Sequence, residues 1–385
     1  MTSRLPDIGT SIFTVMSKMA LEHGAINLSQ GFPDFPIDPK LIALVNKAML
    51  DGHNQYAPMP GHPLFKKKLA ELVQATFQRD TNPDTEIVVT AGATEALFST
   101  ITAFIKPGDE VIMFDPSYDS YDPSVRLNGG IPIHINLSPP DFSIPWEEVR
   151  SKINRRTRAI MVNSPHNPCG TVLSEADLKK LSTIANEFDL LVFSDEVYER
   201  IIFDGKKHNS VLKYPELNNR SVAIFSFGKT FHSTGWKIGY TVASPRLTDE
   251  IRKTHQFITF AVNTPIQVAM AEYLNDHANI LSLAKFYEAK RDFFLEQIKG
   301  CSFKPLSCSG SYFQLLSYEG TSPARPAGGR ESDKTMAERL TKEFKVASIP
   351  VSVFYKDQSD HKLLRFCFAK KEETLEKAGV ILRKL

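Results

Sequence analysis

The feature that most constrains this 385-residue chain is a rhythm that sets in at about residue 86. Short β-branched runs alternate with helix-like stretches: Glu86-Ile87-Val88-Val89-Thr90, Glu110-Val111-Ile112-Met113-Phe114, Ile131 to Leu137, Ala159-Ile160-Met161-Val162-Asn163, Leu190-Leu191-Val192-Phe193-Ser194, Val222-Ala223-Ile224-Phe225-Ser226 and Gly239-Tyr240-Thr241-Val242-Ala243. A strand that is apolar at nearly every position must be covered on both faces, and intervening helices supply that cover. The pattern predicts an α/β domain with a mostly parallel sheet of about seven strands.

Sheets of this kind bind ligands at the carboxyl ends of their strands. The segments that follow five of these runs are polar and rich in Gly and Pro: Ala91-Gly92-Ala93-Thr94-Glu95, Asp115-Pro116-Ser117-Tyr118, Ser164-Pro165-His166-Asn167-Pro168, Asp195-Glu196-Val197-Tyr198 and Phe227-Gly228-Lys229-Thr230. Parallel strands would bring all five to one rim.

Length favours two domains. After about residue 280 the pattern changes to a long helix (281–299), short strands near 312–316 and 363–368, and a last helix from Glu372, a smaller α+β domain. The expected division is an N-terminal segment 1–45 packing with the small domain, a large domain 46–280 and a small C-terminal domain 281–385. The stretch 318–333 reads as a polar Pro/Gly-rich loop.

Charge excludes more than it proposes. Lys and Arg total 46 against 44 Asp and Glu, a formal net charge of +2, so neither nucleic acid nor a membrane surface is indicated as partner. Lys66-Lys67-Lys68 lies in a helical pattern with Leu64, Leu69 and Leu72 and reads as a solvated face. Cys169, Cys301, Cys308 and Cys367 form no CxxC pair and no His/Cys cluster has zinc spacing, so no metal site is expected. Reduced thiols, no apolar signal-type core near the N-terminus and no run approaching a membrane span favour a cytoplasmic protein.

Four of the rim segments carry residues with chemical potential. Lys229 follows a strand, where desolvation and neighbouring positive charge lower an amine's pKa and make it a nucleophile; most lysines so placed are merely exposed. Asp195 ends a buried strand, where a carboxylate is costly unless paired; it would suit a cationic heterocyclic nitrogen, although a cap or salt bridge is the commoner role. Tyr198, three residues on, would face the same side on a helical turn. Asn167 sits in a Pro-flanked turn whose X–Pro bonds are candidates for cis, and His166 reads as a loop residue. Gly92-Ala93-Thr94 precedes a helix pattern, so its backbone N–H groups form an anion site to which Ser226 and Lys237 would add a hydroxyl and a charge.

The set Asn167-Pro168, Asp195-x-x-Tyr198, Ser226-x-x-Lys229 and Gly235-x-Lys237-x-Gly239 resembles the fold-type I, class I/II aminotransferases that use pyridoxal 5′-phosphate, over nearly the whole chain. Ser29-Gln30-Gly31-Phe32-Pro33-Asp34-Phe35, Asn54-Gln55-Tyr56-Ala57-Pro58, the run 114–121 and the run 226–237 resemble the methionine and kynurenine/glutamine aminotransferase branch. The resemblance implies roles. Lys229 would carry the cofactor and, once freed by substrate, move the proton between Cα and cofactor. Asp195 would hold the pyridinium nitrogen, Asn167 and Tyr198 the ring oxygen, and Tyr118 would stack on the ring. Ala93 and Thr94 amides, Ser226 and Lys237 would hold the phosphate. Tyr56 would reach the phosphate of a neighbouring subunit in a homodimer. Arg365 would clamp the substrate α-carboxylate, with Gly31 and Asn167 beside it. Lys237 stands where many aminotransferases carry Arg, which keeps the charge and gives up the fork.

The resemblance further implies ping-pong transfer from methionine or another large neutral or aromatic L-amino acid to a 2-oxo acid. Ile12, Phe13, Phe32, Tyr56 and Tyr118 supply apolar surface near the expected pocket. A β-lyase acting on cysteine S-conjugates would use the same residues. A non-catalytic regulator is disfavoured, because no catalytic position is missing and the N-terminal extension is too short for a DNA-binding domain.

Overall fold

The computed structural model describes residues 2–276, 278–319 and 331–385. Most of the predicted loop at 318–333 therefore lies outside the described residues. Seven strands form one sheet in the order Ile87–Thr90, Gly239–Ala243, Ser221–Ser226, Leu191–Asp195, Thr157–Asn163, Glu110–Asp115, Ile131–Asn136. Every neighbouring pair is parallel except the two made by Gly239–Ala243, which runs against both Ile87–Thr90 and Ser221–Ser226. That reversal has a useful consequence. The six parallel strands deliver their carboxyl ends to one rim, and the reversed strand delivers its entrance there, bringing Lys237 and Ile238 to the same edge.

Alternation along the strands decides which layer each side chain joins. Ile112 and Phe114 pack into one core with Phe65, Leu69, Leu178 and Leu181 of the helices Pro63–Phe77 and Glu175–Glu187. Val111 and Met113, one residue out of phase, pack into another core with Leu97, Ile101, Leu247 and Ile251 of Ala93–Phe104 and Pro245–Ile258. The sheet is thus covered on both faces, as its apolar strands require, except along the edge strand Ile131–Asn136, where only Ile135 is fully buried.

The helix Pro63–Phe77 corrects one expectation. Lys66 is buried and its Nζ donates to Asp84 Oδ1 at 2.8 Å, while Leu64 is exposed. The buried stripe runs through Phe65, Leu69 and Leu72, one position away from the register expected from Leu64, and Lys66 reaches an acidic partner by its long stem.

A second sheet orders Ile349–Pro350, Leu363–Cys367, Phe313–Ser317 and Lys304–Pro305, all antiparallel. The helices Leu283–Gln297, Asp333–Lys342 and Glu372–Leu382 pack with it around a third core. The long helix, Leu283–Gln297, is shorter than expected: a separate turn, Ala278–Leu281, precedes it, and it ends at Gln297 with Ile298 as its cap. The N-terminal helix Ile12–Glu22 contributes Met16 to this core, and Ile26–Asn27 pairs in parallel with Val346–Ala347. The chain then crosses toward the rim, with Leu28 O accepting from Cys367 N at 2.8 Å. Among the described residues no helix is long and apolar enough to cross a membrane, and no cluster of His, Cys, Asp and Glu has the makings of a metal site. The four cysteines are free thiols.

Candidate active site

The carboxyl rim and the small sheet enclose a cavity of about 290 Å³, lined by Gly31, Ala93, Thr94, Tyr118, Asn167, Asp195, Tyr198, Ser226, Lys229, Lys237 and Arg365 among others. Every candidate site residue named from the sequence is on that wall except Tyr56. Tyr56 is 81% exposed and packs edge-on against Phe260, 5.4 Å between ring centroids. Of the apolar residues expected near the pocket, Phe13 and Tyr118 line it; Ile12 packs into the third core and Phe32 stays half exposed over Lys370 Nζ.

At one end the wall is built to meet an anion. The helix Ala93–Phe104 has Gly92 as its cap, which offers no side chain to its first-turn N–H groups and stands at φ +78°. Uncapped N–H groups and the helix dipole attract negative charge. A Cβ on Gly239 would lie 2.7 Å from Phe225 O and 3.0 Å from Ala93 N, so only glycine lets the reversed strand seat this helix end. A Cβ on Gly92 would lie 3.5 Å from Lys237 Nζ, which locates that ammonium across the same end. Lys237 reaches it from a left-handed backbone, φ +53°.

At the other side lies a carboxylate without a full positive partner. Asp195 is buried; Oδ2 accepts from Tyr121 Oη at 2.5 Å and Oδ1 from Val197 N at 3.3 Å. Burial outweighs both hydrogen bonds and the distant attraction of Lys229, and pushes its pKa up to about 6. A cationic N–H at this spot would pull it back down. Tyr121, the first residue of the helix Tyr121–Leu127, is a site residue that the sequence reading did not single out. The Tyr-x-x-Tyr spacing after Pro116 was the available signal, since both tyrosines 118 and 121 face the cavity.

Lys229 sits in the one-turn helix Phe227–Thr230. Desolvation lowers its pKa to about 8, with Arg365 and Lys237 pressing in the same direction and Cys367 and Asp195 opposing. Its Nζ donates to Tyr312 Oη at 3.0 Å and makes a longer 3.4 Å contact with Gly31 O. Tyr198 follows Asp195 on consecutive hydrogen-bonded turns in place of the helical turn expected, is buried, and packs edge-on against Tyr312 at 5.1 Å.

Arg365 is fully buried. It shares a sheet face with Phe313, its diagonal neighbour across the antiparallel pair, and its guanidinium carbon lies 3.9 Å from that ring's centroid. Phe13 and Phe354 approach it at 5.2 and 5.4 Å. Its hydrogen bonds go to two neutral oxygens, Asn167 Oδ1 and Ser29 O, each at 2.9 Å, and Nε has no partner among the described residues. Burial lowers its pKa to about 10. A buried cation with spare donors is an arrangement that could accept a carboxylate.

One polar chain ties these groups together. Asn163 Nδ2 donates to Asp195 O at 2.9 Å, Asn167 N donates to Asn163 Oδ1 at 2.8 Å, and Asn167 Oδ1 receives Arg365. The bonds Ser164–Pro165 and Asn167–Pro168 in this turn are cis. His166 is buried outside the cavity wall, with Nδ1 near Cys169 N at 3.5 Å.

Known proteins share this fold over the whole chain. The family model described as aminotransferase class I and II matches residues 23–380. The chain is 46% identical to the methionine aminotransferase of Escherichia coli over 384 residues, all of this chain and 98% of that one. It is 33% identical to human kynurenine–oxoglutarate transaminase 3, across 99% of this chain and 89% of the relative. Among solved structures, YbdL of Escherichia coli, for which a methionine aminotransferase function was identified, superposes with a TM-score of 0.96 at 45% identity, covering 100% of this chain and 99% of that one.

Proposed function

We propose a reaction for this chain, which belongs to the aminotransferase class I and II family: it moves the amino group of methionine, or of another large neutral or aromatic L-amino acid, to a 2-oxo acid in two half-reactions at one site. The observation that carries this reading is the convergence, on the wall of one cavity, of the depressed amine of Lys229, the buried carboxylate of Asp195 and the spare donors of Arg365. The methionine relatives support the choice of donor.

Pyridoxal 5′-phosphate, which this family uses, supplies when bound a carbonyl that takes up the amino group and a ring that accepts electrons from the bond being broken. The residues present fit it. The glycine-lined helix end with Lys237 and Ser226 would hold the phosphate. Asp195 would hold the ring N–H, which supplies the cation its burial demands. Tyr118 would cover the ring face. Asn167 has its Oδ1 committed to Arg365, so its Nδ2 remains to donate to a ring oxygen alongside Tyr198.

Lys229 would bear the cofactor and then act as base. With a pKa of about 8 a substantial fraction of the amine is neutral near pH 8, which lets it take a proton from the substrate Cα and return it at the neighbouring carbon. Arg365, unable to lose its charge at that pH, would anchor the α-carboxylate and orient the Cα–H bond toward Lys229. The first product, a 2-oxo acid, leaves before the acceptor 2-oxo acid enters, and the same residues run the steps in reverse.

Tyr56, exposed and off the wall of its own cavity, would complete the phosphate site of a second copy, making the working unit a homodimer. The free thiols suit a reducing cytoplasm. A donor panel of methionine, phenylalanine, kynurenine, glutamate and aspartate with one fixed 2-oxo acid tests the assignment. Methionine or an aromatic donor should give the highest kcat/KM; preference for aspartate or glutamate would overturn the substrate class, and no turnover with any donor would overturn the reaction.

A further inference from the structure

Tyr312 is buried without residual exposure, and no role for it follows from the reaction outlined above. Its ring is fixed on three sides, by Phe313 at 4.9 Å, Tyr198 at 5.1 Å and Tyr287 at 5.9 Å between centroids. Its hydroxyl donates its single proton to Gly31 O at 2.6 Å. The oxygen is therefore left as an acceptor, and Lys229 Nζ donates to it at 3.0 Å. Gly31 O, already held by Tyr312, lies 3.4 Å from the same amine.

A neutral amine has two N–H bonds and one lone pair. Tyr312 Oη takes one N–H, Gly31 O lies in reach of the other, and the remaining tetrahedral direction is the lone pair's. Lys229 lines the cavity, so that direction is the open one.

We propose that Tyr312 is a positioning residue for Lys229: it docks the amine whenever that amine is not bonded to the cofactor and turns its lone pair toward the substrate carbon. The proposal rests on the aminotransferase reading for its purpose, but the contact it invokes is a property of this chain alone. Gly31 takes part as the backbone that orients the hydroxyl. A Cβ at Gly31 would fall 2.8 Å from Phe313 Cζ, so this segment has little freedom to move while the ring stays put.

The test follows Lys229 itself. The full-length enzyme, loaded with pyridoxamine phosphate so that Lys229 is free, is pulsed with acetic anhydride across pH 6–11. The extent of acetylation at Lys229 is read by peptide mass spectrometry. Tyr312→Phe keeps the ring and deletes the hydroxyl that stabilises the ammonium form, so the midpoint should fall by about 1 unit. Tyr287→Phe removes a neighbouring buried hydroxyl, bonded to His232 Nδ1 at 2.7 Å, and should leave the midpoint in place. In steady-state assays Tyr312→Phe should lower kcat with KM for the donor little changed. An unmoved Lys229 midpoint in Tyr312→Phe, or equal movement in both variants, overturns the proposal. Should Tyr312→Phe fail to fold, 3-fluorotyrosine at 312 weakens the acceptor without changing shape and must shift the midpoint the same way, or the proposal fails. The same labelling on cofactor-free chain separates this result from the reading it rests on. A shifted midpoint in a chain that never transaminates would refute the function and leave the contact standing.

Discussion

Replacing Arg365 with lysine keeps a cation on the strand Leu363–Cys367 and removes the guanidinium fork. The native group makes two hydrogen bonds, to Asn167 Oδ1 and Ser29 O, and holds Nε in reserve. An ammonium on a shorter, non-planar head cannot keep both and also meet a carboxylate in two places. Losing one charge-assisted hydrogen bond to the bound carboxylate costs about 1.5–3 kcal/mol, roughly a 10- to 150-fold fall in kcat/KM. The stacking on Phe313 at 3.9 Å is also forfeited, so a drop in Tm of a few degrees is expected besides. The assay compares methionine with 3-(methylthio)propylamine, the same molecule without its carboxylate, at one fixed acceptor. Wild type should prefer methionine strongly, and Arg365→Lys should lose most of that preference by its effect on methionine alone. An equal fall for both donors would mean that Arg365 serves the fold and not the substrate. A change within twofold would mean that the carboxylate binds elsewhere.

Other consequences are as open to measurement. Asp195→Asn keeps the hydrogen bond from Tyr121 and removes the charge, so turnover should fall on the order of 100-fold or more while the fold survives in circular dichroism. Gly239→Ala would drive a methyl to within 3.0 Å of Ala93 N, and cofactor retention in equilibrium dialysis should weaken by at least about tenfold, one lost charge-assisted contact. Mixing Lys229→Ala with Tyr56→Ala subunits should regenerate about a quarter of native activity through hybrid dimers with one intact site, whereas unshared sites would regenerate none. His134 lies between Asp115 and Asp122, at 2.9 and 3.1 Å. Burial opposes its charge, but those two hydrogen bonds outweigh it and raise its pKa to about 9. The folded form thus holds a proton that the unfolded chain releases near pH 6.5. Its contribution, at most about 3 kcal/mol, is complete below pH 6.5 and lost as pH rises through 9. Urea titrations should show that loss, and His134→Gln should flatten it.

Local pattern and long-range contact were not equally legible. The strand rhythm from residue 86 announced the large sheet because each apolar run reports its own burial, independent of partners. The reversed direction of Gly239–Ala243 was invisible, since a strand buried on both faces reads the same in either sense. Lys229, Asp195 and Asn167 declared themselves by following strands, where topology alone brings chain ends together. Arg365 was named from resemblance only; nothing in Leu363–Cys367 says that Ser29 and Asn167 will meet it. Tyr312 and Asn163 went unnamed because their importance lies in hydrogen bonds to Gly31 and to Asp195, groups distant in sequence. Lys66 misled because charge predicts exposure only until an acidic partner comes within reach, as Asp84 does.

The proposed chemistry rests on one amine, on Lys229, carrying the cofactor. Borohydride reduction of the purified enzyme, followed by proteolysis and peptide mass spectrometry, reads it directly. A pyridoxyl-phosphate adduct is expected on the peptide containing Lys229 and none on Lys237, whose ammonium is proposed to hold the phosphate. An adduct on any other lysine, or none at all, would contradict it.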